Sequence, residues 1–352
     1  MKKFGIYIHW PFCLSKCPYC DFASVPCRAV DEELLWRRYM RDLQNTPHAP
    51  ITSVFFGGGT PSMMSAGLLE KFLTEIERDF GFSPDVEISL EANPDAITKE
   101  KMLDFKKAGV NRLSLGVQAL NDTDLKFLGR IHSAQTALAR IDEMRQVFDN
   151  CSIDLIYAHP NQTLKSWEAE LKRVLSFDLP HISLYQLTIE EGTPFDRKGV
   201  EPADDETARL LYIKTFEMTE ATGVPLYEVS NFARDGFECR HNLLYWQGDD
   251  YAGIGPAAHG RLGLLATENP KDVKEWLSNG TMQTKLTEQE RFEEKLLMGL
   301  RLRKGMSSKG IHSDKLEEAV RRGWLFYNPR DSWMAPTMEG LLMLNQLIVL
   351  LV

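Results

Sequence analysis

The segment Phe4-Gly-Ile-Tyr-Ile-His-Trp10-Pro-Phe-Cys13-Leu-Ser-Lys-Cys17-Pro-Tyr-Cys20 joins an apolar run to three closely spaced cysteines. A short, continuous apolar run of this kind is typical of a buried β-strand. Three cysteines within eight residues favour metal ligation over disulfides, because thiols stay reduced in the cytoplasm. The segment therefore predicts a buried strand that carries three sulfur ligands just beyond its carboxyl end.

Three thiolates can bind three irons of a [4Fe–4S] cluster and leave the fourth iron open, as catalytic zinc sites keep one open position. An open iron suits chelation by the amino and carboxylate groups of S-adenosylmethionine, and an electron from the cluster then cleaves the sulfonium to a 5′-deoxyadenosyl radical. The alternative is a structural zinc site with Cys27 or His9 as fourth ligand. The C-x3-C-x2-C spacing favours the cluster, since zinc cysteines usually come as paired C-x-x-C motifs.

Further along the chain, apolar runs alternate with stretches of helical periodicity. The predicted strands are Phe4–Trp10, Ile51–Phe56, Asp85–Glu91, Asn111–Val117, Cys151–Tyr157 and His181–Thr188. The predicted helices are Asp31–Leu43, Ala66–Phe80, Lys99–Ala108, Ser133–Phe148 and Ser166–Leu175. This alternation predicts an α/β fold, a partial (β/α)6 barrel with parallel strands and right-handed crossovers. A flat Rossmann sheet is the alternative, but its glycine fingerprint does not follow the first strand.

Polar and glycine-rich stretches follow the second, third and fourth predicted strands. They are Gly57–Thr60, Glu91-Ala-Asn93 and Gln118. Because active sites of such barrels form at the carboxyl ends of the strands, we expect these residues to lie beside the cysteines.

Three domains are expected, with residues 1–215 forming the barrel and residues 216–283 a turn-rich connecting segment. Residues 284–352 carry the order of elements of a small winged-helix-like α+β domain. The connecting segment contains His241-Asn-Leu-Leu-Tyr245-Trp246, which has the form HNxxYW.

Composition excludes some classes of protein. The formal net charge of −9 argues against a broad nucleic-acid surface. No apolar run approaches the ~20 residues of a membrane span. Met1-Lys2-Lys3 leads into the first strand without a signal-peptide pattern, so a cytoplasmic location is expected.

The chain resembles the radical S-adenosylmethionine superfamily in several motifs, and most specifically its oxygen-independent coproporphyrinogen III oxidase-like family. Besides the cysteine segment, the matching motifs are Gly57-Gly-Gly-Thr-Pro61, Glu87-Ile-Ser-Leu-Glu91-Ala-Asn-Pro94, Arg112-Leu-Ser-Leu-Gly116-Val-Gln118 and Asp154-Leu-Ile-Tyr157. The usual Gly-Leu-Pro after the last motif is replaced by Ala158-His-Pro160. That departure leaves the loop after the fifth strand without an assigned role.

The resemblance implies a set of cofactor residues. Cys13, Cys17 and Cys20 would bind the cluster, with Tyr7 and Tyr19 as aromatic neighbours. The S-adenosylmethionine ligands would be Gly58, Gly59, Thr60, Glu91, Gln118, Arg130 and Asp154.

Two functions follow from the resemblance. Asp21-Phe22 stands where the oxidase has a further cysteine, and the oxidase's N-terminal extension is not seen before Phe4. Together with the HNxxYW motif, these features resemble the heme chaperones of the HemW type, in which the motif is associated with heme. The resemblance to these chaperones implies heme as a third cofactor, with His241 as its ligand. It also implies an apo-haemoprotein that accepts the heme and a protein that donates electrons. A homodimer is compatible with it. The alternative is an oxidase that decarboxylates two propionates of coproporphyrinogen III.

Overall fold

Six parallel strands form the centre of the sheet in this computed structural model, which describes residues 3–352. Met1 and Lys2, on which the signal-peptide expectation partly rests, lie outside the described residues. The strands are β1 Phe4–Trp10, β2 Ile51–Gly58, β3 Phe82–Ala92, β4 Arg112–Gln118, β5 Asn150–Tyr157 and β6 His181–Gln186. Each is paired in parallel with the next. The predicted α/β architecture of six parallel units is confirmed.

Helices link these strands and cover the outside of the sheet. They are α1 Glu32–Gln44, α2 Ala66–Phe80, α3 Lys99–Lys107, α4 Ala134–Val147 and α5 Leu164–Leu175. Each begins at a side chain that accepts a hydrogen bond from a backbone N–H of the first turn. The capping residues are Asp31, Ser65, Thr98, Ser133 and Thr163. Shorter helical turns lie at Pro61–Met63, Asp122–Phe127 and Pro194–Arg197.

The predicted connecting segment, residues 216–283, extends the sheet at both of its edges. After α6 Asp205–Ala221 come β7 Leu226–Glu228, β8 Asn231–Ala233, α7 Arg240–Gln247, β9 Asp250–Ile254, β10 His259–Leu262, β11 Leu265–Glu268, α8 Val273–Ser278 and β12 Met282–Lys285. Within residues 3–352 the sheet has twelve strands, in the order β12-β11-β10-β9-β1-β2-β3-β4-β5-β6-β8-β7. Strand β9 pairs in parallel with β1, and β8 pairs antiparallel with β6.

The interpretation of residues 216–283 as turn-rich was wrong in one respect that matters for the site. The HNxxYW motif forms helix α7, and Gly248 ends this helix in the left-handed conformation with φ of 66°. Eight residues are too few for a clear helical period, so the periodicity of the sequence did not reveal this helix.

The C-terminal residues form a unit with its own small core. Its elements are α9 Glu288–Gly299, β13 Met306–Ser307, α10 Ser313–Arg321, β14 Leu325–Asn328, β15 Trp333–Pro336, α11 Met338–Leu342 and α12 Leu344–Leu351. The three strands form a separate antiparallel sheet. The domain boundaries at 215/216 and 283/284 stay predictions, the second of them falling within β12. Among the helices of residues 3–352, none is both long and apolar enough to cross a membrane.

Candidate functional site

A cavity of about 350 Å³ opens at the carboxyl ends of the parallel strands. It brings together most of the residues that the sequence singled out, although they come from distant segments. These are Cys13, Cys17, Tyr19, Cys20, Gly58, Gly59, Thr60, Glu91, Gln118, Arg130 and Asp154. Tyr7 and His241 instead line a second cavity, described below.

The cysteine loop leaves β1 and is held by a short pairing of Phe12–Cys13 with Val25–Pro26. Cys20 donates its backbone N–H to Cys17 O at 3.2 Å, which closes the turn between two of the thiols. Burial raises the pKa of the Cys13 and Cys20 thiols. The Arg130 guanidinium lies 3.5 Å from Cys17 Sγ, so a cation stands beside the cysteine loop.

The two residues considered as a fourth zinc ligand are engaged elsewhere. His9 Nδ1 is 3.0 Å from the Tyr7 hydroxyl, and His9 Nε2 is 2.9 Å from Ala23 O. Cys27 Sγ lies 3.1 Å from Ala29 O. Three cysteines line the cavity, while His9 and Cys27 are not among its lining residues. This set suits a cluster with one iron open to a ligand better than a four-ligand zinc site.

The glycine turn after β2 packs directly against the cysteine loop. Gly59 and Thr60 donate backbone N–H groups to Trp10 O and Phe12 O, each at 2.7 Å. A Cβ on Gly59 would lie 2.5 Å from Phe12 O, so only glycine permits this approach. Gly58 has a φ of 108°, a conformation that side chains rarely adopt. The turn therefore places backbone groups within reach of a ligand beside the thiols.

Arg130 is oriented before any ligand binds. Its Nη2 donates to Asn93 Oδ1 at 2.7 Å and to Gly116 O at 3.2 Å. Asn93 in turn donates to Thr60 Oγ1 at 2.9 Å. Gln118 has a φ of 69°, and its Oε1 is buried without a partner among the described residues. A ligand N–H would satisfy this acceptor, which suits a cofactor that carries amino groups.

Two carboxyl groups face each other across the base of the cavity. The strand register places Glu91 beside Ser114, and Asp154 beside Gly116. Ser114 donates to Asp154 Oδ1 at 2.9 Å. Burial, and then the charge of Asp154, raise the pKa of Glu91 to about 8. Burial also raises the pKa of Asp154.

The raised pKa of Glu91 makes the stability of the ligand-free protein depend on pH. Between the ordinary value of 4.5 and about 8, the native state holds a proton that the unfolded chain has lost. The free energy of unfolding therefore decreases as pH rises through this window. We expect Glu91→Gln to flatten that part of the profile and to stabilise the protein above pH 8, in urea titrations at several pH values. Glu190→Gln, at the exposed mouth of the same cavity, is the control. A profile unchanged by Glu91→Gln would contradict this assignment.

A second cavity, of about 200 Å³, lies inside the barrel below the first. Glu91, Asp154 and Tyr185 line both cavities. Tyr7 and His241 line the lower one, so Tyr7, in the middle of β1, lines a different cavity from the cysteines. Its place beside the cluster stays a prediction.

His241 is fully buried on helix α7. Its Nδ1 is 2.8 Å from Ser53 Oγ and its Nε2 is 2.7 Å from the Tyr245 hydroxyl. Burial lowers the pKa of His241 to about 3, so the ring is neutral. Both ring nitrogens are occupied in this conformation, and ligation of heme iron by His241, which stays a prediction, would require one of these contacts to break.

Several lining residues were not predicted from the sequence. Arg112 and Ser183 line the second cavity, and Tyr185 lines both. All three lie within strands, and the available signal was a polar side chain in an otherwise apolar strand. The side chain of such a residue can face either the barrel interior or the surrounding helices. Only the three-dimensional structure of the sheet shows which of these two sides it faces.

Residues 7–174 match the family model of the radical SAM superfamily. Relatives match over nearly the whole chain. The heme chaperone HemW of Bacillus subtilis is 34% identical, with 97% of both chains covered. HemW of Buchnera aphidicola is 30% identical over 99% of this chain and 98% of its own. The mitochondrial radical S-adenosyl methionine domain-containing protein 1 of Danio rerio is 37% identical over 86% of this chain and 74% of its own.

Among solved structures, coproporphyrinogen III oxidase (HemN) from Escherichia coli superposes with a TM-score of 0.83. The alignment covers 99% of this chain and 90% of the oxidase, at 19% identity. At this identity the match establishes a shared fold.

Proposed function

Because the chain belongs to the radical SAM superfamily and, within it, to the family of the HemW proteins, we propose that it is a heme chaperone. It binds a [4Fe–4S] cluster and S-adenosylmethionine, and it passes heme to apo-haemoproteins. The single observation that supports this best is the placement of the HNxxYW helix, whose buried face lines a cavity adjoining the cofactor cavity.

The proposed cofactor ligands line the first cavity, at the carboxyl ends of the parallel strands. Cys13, Cys17 and Cys20 hold the cluster. The glycine turn Gly58–Thr60 binds the methionine part of S-adenosylmethionine, and Tyr19 packs beside the cluster. A bound cluster with an open iron supplies the electron for reductive cleavage of the sulfonium.

The remaining ligands position the cofactor. Arg130 already donates to Asn93 and Gly116, and its planar fork suits the cofactor carboxylate. Glu91 and Asp154 suit ribose hydroxyls, while Gln118 presents a buried acceptor that has no partner among residues 3–352. Such preorganised groups lose little freedom when the ligand binds.

The chaperone assignment also implies partners. The chaperone must transfer its heme to an apo-haemoprotein, and its cluster must receive electrons from a donor protein. A homodimer is compatible with this function. A cytoplasmic location suits the three free thiols, since thiols stay reduced there.

The proposal is tested by assaying heme binding and porphyrinogen turnover separately under anaerobic conditions. We expect the reconstituted protein to bind heme at about one per chain, with a Soret band. Addition of apomyoglobin should then produce the spectrum of the holo-protein. Apomyoglobin with free heme at the same concentration is the control for passive release.

Two outcomes would contradict the proposal. The first is a protein that binds no heme, so that its Soret absorption equals that of the same heme concentration in buffer without protein. The second is consumption of coproporphyrinogen III with release of carbon dioxide, which would replace the chaperone by the oxidase.

A further inference from the structure

Helix α7 presents two faces to two different cavities. His241 and Tyr245, four residues apart, share the face that lines the barrel interior. Leu243 and Trp246, three residues apart, line another cavity of about 510 Å³. Its other wall belongs to the C-terminal unit, so we call it the junction cavity. The motif helix therefore separates the cofactor region from the junction cavity.

The walls of the junction cavity suit a flat, apolar molecule. Tyr227, Trp246 and Trp333 contribute aromatic side chains, and Leu243 adds an aliphatic one. Trp333 is 44% exposed, so part of this wall is accessible to a ligand. A volume of about 510 Å³ lies within the range of cavities that hold cofactors.

Polar groups at the junction cavity favour an anionic ligand. Lys295 and Lys304 are exposed at its lining, and Glu238 is the carboxylate that faces them. Lys304 Nζ lies 3.6 Å from a Glu238 carboxylate oxygen. Trp246 Nε1 is buried and, within residues 3–352, has no hydrogen-bond partner. An indole N–H in this state is a donor that an approaching acceptor would satisfy.

The junction cavity also contains a side chain that could ligate heme iron through sulfur. Met306 lines the junction cavity, and thioethers serve as axial ligands of heme iron. Its Sδ packs on Gly299, where a Cβ would lie 2.4 Å from the sulfur. The missing side chain at Gly299 therefore leaves the space in which the sulfur lies. By contrast, both nitrogens of His241 are engaged on the opposite face of the helix.

We infer that the junction cavity is the heme site, with Met306 as an axial ligand of the iron. Trp246 and Trp333 pack on the porphyrin, and Lys295 and Lys304 pair with its carboxylates. This inference rests on the proposed function, because it takes heme as the ligand. It differs from the motif-based prediction in the face of α7 that heme contacts and in the ligand.

The decisive experiment compares the spectra of heme-loaded variants. We expect Met306→Leu to bind heme with a Kd raised no more than about tenfold, which corresponds to about 1.4 kcal/mol. The charge-transfer band of thioether-ligated ferric heme should be lost, and the reduction potential of the bound heme should fall, because methionine ligation raises it. Met282→Leu, at an exposed methionine outside the cavity, is the matched control and should leave both unchanged.

Two further variants keep the inference testable if Met306→Leu fails to fold. Gly299→Ala should displace the Met306 sulfur and remove the same band, since α9 accepts alanine at this position. The double variant Lys295→Glu, Lys304→Glu should weaken heme binding at least about tenfold at low salt, whereas Lys274→Glu should not.

The outcomes separate this inference from the proposed function. If the unmodified protein binds no heme, the proposed function fails. If it binds heme and the spectrum changes in His241→Phe but not in Met306→Leu or Gly299→Ala, the inference fails and the proposed function stands.

Discussion

Replacing Cys13, Cys17 and Cys20 together by alanine will reduce the iron content of the anaerobically reconstituted protein from about four per chain to near zero. The three cysteines line one cavity, and we propose them as the sulfur ligands of the cluster. Iron and acid-labile sulfide analysis, together with the visible absorption of the cluster, measures the loss. S-adenosylmethionine binding should weaken as well, because a bound cluster would offer an open iron to the amino and carboxylate groups of the cofactor.

The matched control is Cys27→Ala. Cys27 donates its backbone N–H to Cys13 O at 3.0 Å, so it adjoins the ligand loop, but its thiol lies beside Ala29 O. This variant should retain a full complement of iron. Retention of iron by the triple variant, or stoichiometric zinc in the unmodified protein, would contradict the cluster assignment.

The second large effect is expected on stability, from Asp42 on α1. Its buried carboxylate accepts hydrogen bonds from Trp276 Nε1 and Asn269 Nδ2, both at 2.9 Å, and from the Gly255 N–H at 3.0 Å. It also pairs with Arg38, whose side chain is only 7% exposed. We expect Asp42→Ala to lower the free energy of unfolding by about 3–5 kcal/mol, because it leaves a buried cation and several donors unpaired. Urea titration should show a lower midpoint with an unchanged slope.

Glu33→Ala on the same helix is the control. Glu33 pairs with Arg37 and Lys71 at 3.6 and 3.7 Å, but its side chain is 59% exposed. Exposed pairs contribute roughly 0–1 kcal/mol, so the midpoint should barely move. Equal effects of the two substitutions would show that burial of the Asp42 network does not matter.

The Asp42 network also links the motif helix to the barrel. Gly255 directly follows β9, and β9 follows α7 after a short turn. At the other end, α7 packs closely on β1, where a Cβ on Gly5 would lie 2.4 Å from Leu244 Cδ1. The residues beyond 215 are thus held against the first strand of the sheet. This attachment fixes His241 inside the barrel and turns Trp246 toward the C-terminal unit.

The amino-acid sequence by itself determined the parallel centre of the fold and most of the cofactor cavity. Strands such as β1 are buried on both faces, and a strand of that kind must be continuously apolar. The turns after them carry glycine and polar side chains, and parallel strands bring all their carboxyl ends to one edge. Cys17, Gly59 and Glu91 could therefore be placed together from local patterns, whereas Arg130 was expected there only from the family resemblance.

Only the tertiary structure decided what the HNxxYW motif faces. The sequence shows that histidine, tyrosine and tryptophan are close along the chain, but the direction of each side chain depends on helix α7 and on what packs around it. His241 lies against Ser53 and Tyr7 and contacts the Tyr245 ring. Trp246 and Met306 instead both line the junction cavity. These contacts join residues far apart in the chain. They are set by long-range packing, which no periodicity within an eight-residue helix encodes.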